Sequence, residues 1–328
     1  MKTKMKGKHF VTLLDYSREE IETILETGFD LKKKLARGEP HPLLAGKTLG
    51  MLFCNPSTRT RISFETGMTQ LGGHAQFYAP EHMALKYEET WEDTARVMSR
   101  YLDGIMLRVY ALPKYGMARE IMMKVANNAT VPVINAIDDK EHPCQVMADA
   151  MTIMEKFGPD YKRKKVALVW VCSKRGRSPG IPHDMAIVAG ALGMKLTLAY
   201  PDVRYALDEE FMAYARKLSQ KSAATIEIVH DFNTAVKDAS IIYAKSWGGL
   251  QMEAEEDLVY RESFRDWCLA KKHFDSAAPD AMFMHALPVE RNREVMDEVV
   301  DGPMSIVYDQ AENRLHAQKA ILERLIPH

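Results

Sequence analysis

Short apolar runs alternate with helix-length amphipathic stretches along most of the 328-residue chain, and this alternation restricts the possible folds more than any other feature. Residues 48–53, 104–109, 131–135, 166–172, 195–199, 226–229, 241–244, 282–285 and 305–307 read as strands. Between them, 3.6-residue apolar spacing predicts helices over 61–71, 89–102, a long stretch ending at Phe157, then 185–192, 209–220, 233–237 and 314–325. An earlier helix opens at Ser17 with Glu20 three residues on, the capping-box spacing. Residues 74–86, after Gly72-Gly73, read as irregular. A strand–helix–strand order closes as a parallel pair with the helix across one face. The expected fold is therefore α/β, with two doubly wound parallel-sheet domains joined near 158–165, and the chain is long enough for two cores.

Composition removes several classes of function. Forty-four basic and forty-five acidic residues leave a net charge of −1, so no global field favours nucleic acid or an anionic membrane. No run approaches the ~18 apolar residues that span a bilayer, and the lysine-rich start lacks the apolar stretch of a secretory signal. Cys54, Cys144, Cys172 and Cys268 lie far apart, a pattern that suggests neither zinc nor a disulfide framework and fits a cytoplasmic protein. Neither Gly-x-Gly-x-x-Gly after the first strand of the second half nor Gly-x4-Gly-Lys-Ser/Thr is present, which weakens dinucleotide and nucleoside-triphosphate readings.

The chemistry gathers where strands end. Between the strand at 48–53 and the following helix stands Asn55-Pro56-Ser57-Thr58-Arg59-Thr60-Arg61. Free N–H groups at a helix start, three hydroxyls and two guanidinium groups make a site for a phosphate dianion. The plain alternative is an ordinary helix cap with solvated arginines. Arg108, His142 with Gln145, Lys245-Ser246-Trp247, His285 and Arg314 fall at similar positions, and ligands of open α/β sheets bind at such ends. The loop at 173–183 carries Lys174, Arg175, Arg177, Pro179 and Pro182, unusual contents for a strand-to-helix turn.

In order and spacing, Ser57-Thr58-Arg59-Thr60-Arg61, Arg108, His142-Pro143-Cys144-Gln145, His285-x-Leu287-Pro288 and Glu312-Asn313-Arg314-Leu315-His316 resemble the motifs of the aspartate/ornithine carbamoyltransferases. The resemblance implies attack of an unprotonated amine on the carbonyl carbon of carbamoyl phosphate, with phosphate leaving and no cofactor. It implies a carbamoyl-phosphate domain over 1–148, completed by 312–328, and an amino-substrate domain over 149–311. Ser57, Thr58, Arg59 and Thr60 would hold the phosphate, and Thr60, Arg108 and His142 would polarise the carbonyl oxygen. Gln145 and the Leu287 carbonyl would hold the carbamoyl NH2, with Arg314 closing the pocket. The family shares its sites within a homotrimer, and Lys86 is a candidate donor from a neighbouring subunit; it reads equally as a solvated lysine.

Lys245-Ser246-Trp247-Gly248, the 173–183 loop and the Arg314 segment look most like the N-acetylornithine and N-succinylornithine branch, which implies a knotted second domain. That branch reads His-Cys-Leu-Pro-x-Arg-Arg-Asn-x-Lys where this chain has His285-Ala286-Leu287-Pro288-Val289-Glu290-Arg291-Asn292-Arg293-Glu294. Glu290 replaces an arginine that would grip the acceptor, and Glu294 replaces a lysine. Two readings follow. Either an acidic residue meets a free ammonium, as in ornithine, or Glu290 and Glu294 pair with Arg291, Arg293 or the basic loop at 174–177. Lys245, Ser246, Trp247, His285 and Glu290 are the expected acceptor contacts. N-acylated ornithine as acceptor, and a non-catalytic metabolite-binding relative, remain the alternatives to a carbamoyltransferase acting on an ornithine-like amino acid.

Overall fold

A computed structural model describes residues 3–327, which form two compact units. One contains the chain up to Met151 and again from Glu312; the other runs from Thr152 to Ala311.

The first unit begins with helix α1 (Arg18–Ala36), where Ser17 accepts the Glu20 N–H and Glu20 accepts the Ser17 N–H, the expected capping box. Its sheet holds β1 (Thr48–Phe53), β2 (His74–Tyr78), β3 (Gly104–Arg108) and β4 (Val133–Ile137) in the order β2-β1-β3-β4, all parallel. Helices α2 (Thr58–Gln70), α3 (Trp91–Tyr101), α4 (Met117–Asn128) and α5 (Pro143–Phe157) connect and follow them. Ile105, Met106 and Leu107 of β3 are wholly buried, as a central parallel strand requires.

The second unit is a five-stranded parallel sheet of order β7-β6-β5-β8-β9. Its strands are β5 (Lys165–Trp170), β6 (Lys195–Ala199), β7 (Thr225–Val229), β8 (Ile241–Lys245) and β9 (Met282–Met284). Its helices are α6 (Gly180–Leu192), α7 (Glu209–Ser222), α8 (Phe232–Val236), α9 (Ala254–Tyr260) and α10 (Asp297–Val300). Every residue of α6 is buried, which explains why its sequence lacks an amphipathic stripe. The last helix, α11 (Val307–Leu325), starts in this unit and ends in the first.

The sequence-based expectation needs correction in several places, among them α6, which begins at Gly180 and not at 185. Residues 74–78, expected to be irregular, are the edge strand β2, whose stability comes from its ladder with β1 (Thr48 opposite His74 through Leu52 opposite Tyr78) and not from local pattern. The expected strand at 305–307 is a single bridge, Phe283 to Ser305, and Val307 already opens α11, seven residues before the expected start. Helix α2 begins at Thr58, which puts Thr58, Arg59 and Thr60 in its first turn. Helix α4 carries no local start signal. Gly116 at φ 96° precedes it, and its N–H groups are capped from a distance: Asp139 accepts from Gly116 (2.7 Å), Ala118 (3.0 Å) and Arg119 (3.1 Å).

Candidate active-site residues

In the first unit, Phe53 stands opposite Arg108 in the β1–β3 ladder, so the loop after β1 and the end of β3 emerge side by side. Ser57 is the N-cap of α2, its Oγ accepting the Thr60 N–H at 3.3 Å. The amides of Thr58 and Arg59 have no intrahelical acceptor, by the geometry of any first turn. Arg108 is buried, donates to the Asn55 carbonyl (3.2 Å) and the Tyr110 hydroxyl (3.5 Å), and has no carboxylate within 4.0 Å among the described residues. Burial lowers its pKa, Tyr110 opposes that, and the neighbouring Arg59 cation adds to it. An anion beside Arg59 and Arg108 would relieve this. Arg61 is engaged elsewhere, pairing with Glu65 at 2.9 Å and lying 4.1 Å from the Phe77 ring centre.

Thr60, Arg314, Gln145 and Asp149 form one buried chain of contacts. Arg314 donates to Thr60 Oγ1 (3.2 Å) and to Gln145 Oε1 (2.6 Å), while Gln145 Nε2 donates to Asp149 Oδ1 (2.8 Å). The Gln145 amide is thereby fixed in orientation. His142 precedes α5, with its carbonyl accepting from Gln145 N at 2.9 Å and Pro143 at the first helical position.

The turn that carries His142 is built from acidic residues that sequence reading passed over. Asp138 Oδ1 accepts the N–H groups of Lys140 (2.8 Å) and Glu141 (2.7 Å), and Glu141 Oε1 accepts that of Leu13 (2.8 Å). Arg119 joins them, 2.5 Å from Asp138 Oδ2 and 2.6 Å from Glu141 Oε2, with both carboxylates fully buried. Burial opposes the Arg119 charge, but Asp138 and Glu141 outweigh it and raise its pKa. The acidic run 138–141 was legible; its partner lies on α4, a helix without local signals.

In the second unit, β8 and β9 pair in parallel (Tyr243 opposite Met284) and deliver Lys245 and His285 at neighbouring ends. Lys245 is buried, and its Nζ donates to the Ser246 carbonyl at 2.5 Å. Burial, aided by the Arg177 cation and opposed by Glu294, lowers its pKa to about 7. His285 Nδ1 accepts the Leu287 N–H at 2.9 Å, so the ring's proton sits on Nε2, 3.6 Å from Glu294 Oε2. Burial lowers the His285 pKa, which keeps the ring neutral. Leu287 sits at φ 51° before a cis bond to Pro288.

Glu290 does not stand free. Its Oε2 accepts the Lys174 N–H at 2.7 Å, its Oε1 lies 3.6 Å from Arg177, and Arg293 is 3.9 Å away. This is the ion-pair alternative of the two that the sequence left open. Glu294 is wholly buried; its Oε2 accepts the Glu290 N–H (2.6 Å) and lies 3.3 Å from Arg177. Burial would raise its pKa, but His285, Arg177 and the Glu290 amide hold it at about 2. Trp247 belongs to the core, with Nε1 donating to the Tyr205 carbonyl at 2.9 Å, and Ser246 Oγ accepts from Ser173 (2.9 Å) and Arg261 (3.2 Å).

Arg261, absent from the sequence reading, ties this site together. Fully buried and paired with Asp257, it donates to the carbonyls of Ser173 (3.3 Å), Arg175 (3.1 Å) and Trp247 (3.4 Å). The loops after β5 and β8 are thus held on one guanidinium. They approach so closely that a Cβ on Gly176 would lie 2.7 Å from Asp257 Oδ2 and 3.2 Å from the Gly248 Cα. Lys86 is exposed on a 3-10 turn (Ala84–Tyr87), with its Nζ 5.9 Å from the Tyr87 ring centre.

Two open parallel sheets, each gathering polar residues where its strands end, and one of them with buried cations at a helix start, define an α/β enzyme of the class that handles a phosphate-bearing substrate. The chain belongs to the aspartate/ornithine carbamoyltransferase family, and with it to the carbamoyltransferases. Residues 8–155 match the family's carbamoyl-P binding domain and residues 164–325 its Asp/Orn binding domain. An ornithine carbamoyltransferase of Pyrococcus abyssi is 44% identical over 99% of this chain and 98% of its own. The solved ornithine carbamoyltransferase of Pyrococcus furiosus superposes with a TM-score of 0.88 at 44% identity, covering 99% of this chain and 98% of that one. An acetylornithine transcarbamylase complexed with acetylcitrulline gives 0.90 at 33% identity, covering 98% and 100%. The family expectation and the two-domain parallel α/β fold both hold. Local motifs lean toward the acetylornithine enzyme, while identity over the chain is higher with these two ornithine enzymes.

Proposed function

We propose that the protein transfers the carbamoyl group of carbamoyl phosphate to the side-chain amine of an ornithine-type amino acid. The amine lone pair forms the new C–N bond, the C–O bond to phosphate breaks, and the nitrogen sheds a proton. Ser57, Thr58, Arg59 and Thr60 take the phosphate as it gains charge. Thr60, Arg108 and His142 stabilise the carbonyl oxygen, an arrangement worth several kcal/mol, about 2.7–4 per donor in comparable oxyanion sites. Gln145 and the Leu287 carbonyl orient the carbamoyl NH2, Arg314 holds Gln145 and Thr60, and Lys245 and His285 take the acceptor. In this reading residues 1–148 with 312–328 serve the donor and 149–311 the acceptor.

The observation that carries the reading is Arg108, buried at the head of α2 with no carboxylate partner within 4.0 Å among the described residues and its charge opposed by burial. The 44% identity to an ornithine carbamoyltransferase supports the acceptor class. We further propose a homotrimer with shared sites, to which Lys86 of a neighbour contributes. Ile62 (58% exposed), Phe77 (40%), Tyr87 (79%), Val97 (49%) and Tyr101 (79%) in the first unit are apolar side chains of the kind that association covers. A ureido-product assay with carbamoyl phosphate and a panel of amines tests the function: ornithine should yield citrulline, and no ureido product with any amine would overturn it. N-acetylornithine is the second reading, favoured by the 0.90 superposition on the acetylornithine enzyme.

A further inference from the structure

At the ends of β8 and β9, three buried groups lack a fitting partner. Lys245 has no carboxylate within 4.0 Å among the described residues and donates only to the adjacent Ser246 carbonyl. Glu294 engages Oε2 with the Glu290 amide (2.6 Å) and Arg177 (3.3 Å), while its Oε1 is buried and accepts no hydrogen bond from the described residues. His285 Nε2, the protonated nitrogen, is buried 3.6 Å from Glu294 Oε2 and donates none. A buried ionised oxygen without a donor is costly, and so is a buried ammonium without an anion. One ligand bearing both an ammonium and a carboxylate would relieve the two together.

We propose that Glu294 and Lys245 form a zwitterion clamp: Glu294 Oε1 takes the free α-ammonium of the acceptor and Lys245 its α-carboxylate, so the substrate is an unacylated diamino acid. The inference rests on the carbamoyl-transfer reading and deepens it. Glu290 cannot serve in this way, because its Oε2 is taken by the Lys174 amide and its Oε1 faces Arg177 at 3.6 Å. Arg177 is the partly exposed member of the cluster, with 18% of its side chain accessible. The incoming ammonium displaces it from Glu294 and leaves it on Glu290, exchanging one cation for another with no change in buried charge. An N-acylated acceptor brings a neutral amide in place of that cation. It leaves Arg177 on Glu294 Oε2, gives Oε1 no cation, and asks the same pocket to house an acyl carbonyl.

The test compares three ligands by calorimetric titration of the full-length protein saturated with inorganic phosphate: ornithine, N-acetylornithine, and 5-aminopentanoate, which keeps the carboxylate and terminal amine but lacks the α-ammonium. The wild type should bind ornithine at least about tenfold more tightly than either of the others. Glu294→Gln, isosteric and still able to accept the Glu290 amide, should bring both ratios close to one. Equal wild-type affinity for ornithine and either analogue overturns the clamp whatever the variant does, as does a Glu294→Gln protein that keeps the wild-type ratios. Selective ornithine binding without any ureido product supports the clamp while sinking the transfer reading, so the two fail separately.

Discussion

At the residue scale, the site turns on cations whose charge is opposed by burial. If Arg59 is the phosphate ligand proposed above, Arg59→Ala should abolish carbamoyl-phosphate binding and leave the far-ultraviolet spectrum and Tm near wild type, because the residue lies in the first turn of α2 outside the core; a folded variant with unchanged KM for carbamoyl phosphate would dismiss the assignment. Lys245 gives a pH dependence. Its pKa is lowered to about 7, so in the free protein it becomes neutral above that value, whereas in the unfolded chain it stays charged to near its ordinary range. Two consequences follow in the window between about 7 and that range. Folding stability gains from rising pH, since the unfolded chain binds the extra proton. Binding of the acceptor carboxylate weakens, since the charged form must be restored. KM for the acceptor should therefore climb above about pH 7, by at most tenfold per pH unit, and Lys245→Met should show a higher, pH-flat KM for the acceptor with KM for carbamoyl phosphate unmoved. A flat wild-type profile would remove Lys245 from the acceptor site. The strand-end residues Arg108, Lys245 and His285 were legible in the sequence because each follows an apolar run directly, and His142 because it precedes Pro143 and a helical pattern. Glu290 and Glu294 were legible only as a change of sign, since which carboxylate oxygen is left over depends on Arg177, more than a hundred residues away.

At the element scale, the features that sequence missed are those defined by distant partners. Strand β2 exists by virtue of β1, and α4 by virtue of Asp139. Asp139→Ala removes the acceptor for the Gly116 amide and for two first-turn amides, and a lost cap typically costs about 0.5–2 kcal/mol. The expected result is a drop at the upper end of that range in urea denaturation, with amide exchange in α4 accelerating more than elsewhere; unaltered exchange there would show that α4 starts without the cap. The loops after β5 and β8 depend on a contact as demanding. Gly176→Ala would force a Cβ to 2.7 Å from Asp257 Oδ2, backed by the Gly248 Cα at 3.2 Å. Because Asp257 is fixed on buried Arg261, the loops must part. Acceptor affinity should fall at least tenfold with little loss in carbamoyl-phosphate binding, and a variant with wild-type KM for both substrates would show that the close approach is not needed. By contrast α1, with its capping box, and the buried strands β5 and β8 were readable from local pattern alone.

At the scale of the whole molecule, the proposed sharing of sites has a direct test. An Arg108→Ala protein and a Lys86→Ala protein, each nearly inactive, should regain a fraction of wild-type activity when their subunits are exchanged, because some mixed sites would carry neither change. No recovery, with exchange verified by mass, would exclude Lys86 as a donor in trans. The turn at 138–141 carries a different kind of consequence, one of order in time. Glu141 holds the Leu13 amide, Arg119 closes on Asp138 and Glu141, and Asp139 starts α4. As the chain leaves the ribosome, the Leu13 amide, the Arg119 guanidinium and the start of α4 all wait on a turn that is made only after them. Until that turn arrives, α4 lacks the acceptor for its opening amides and residue 13 its anchor, and the same unit still waits for residues 312–328, whose Arg314 holds Thr60 and Gln145.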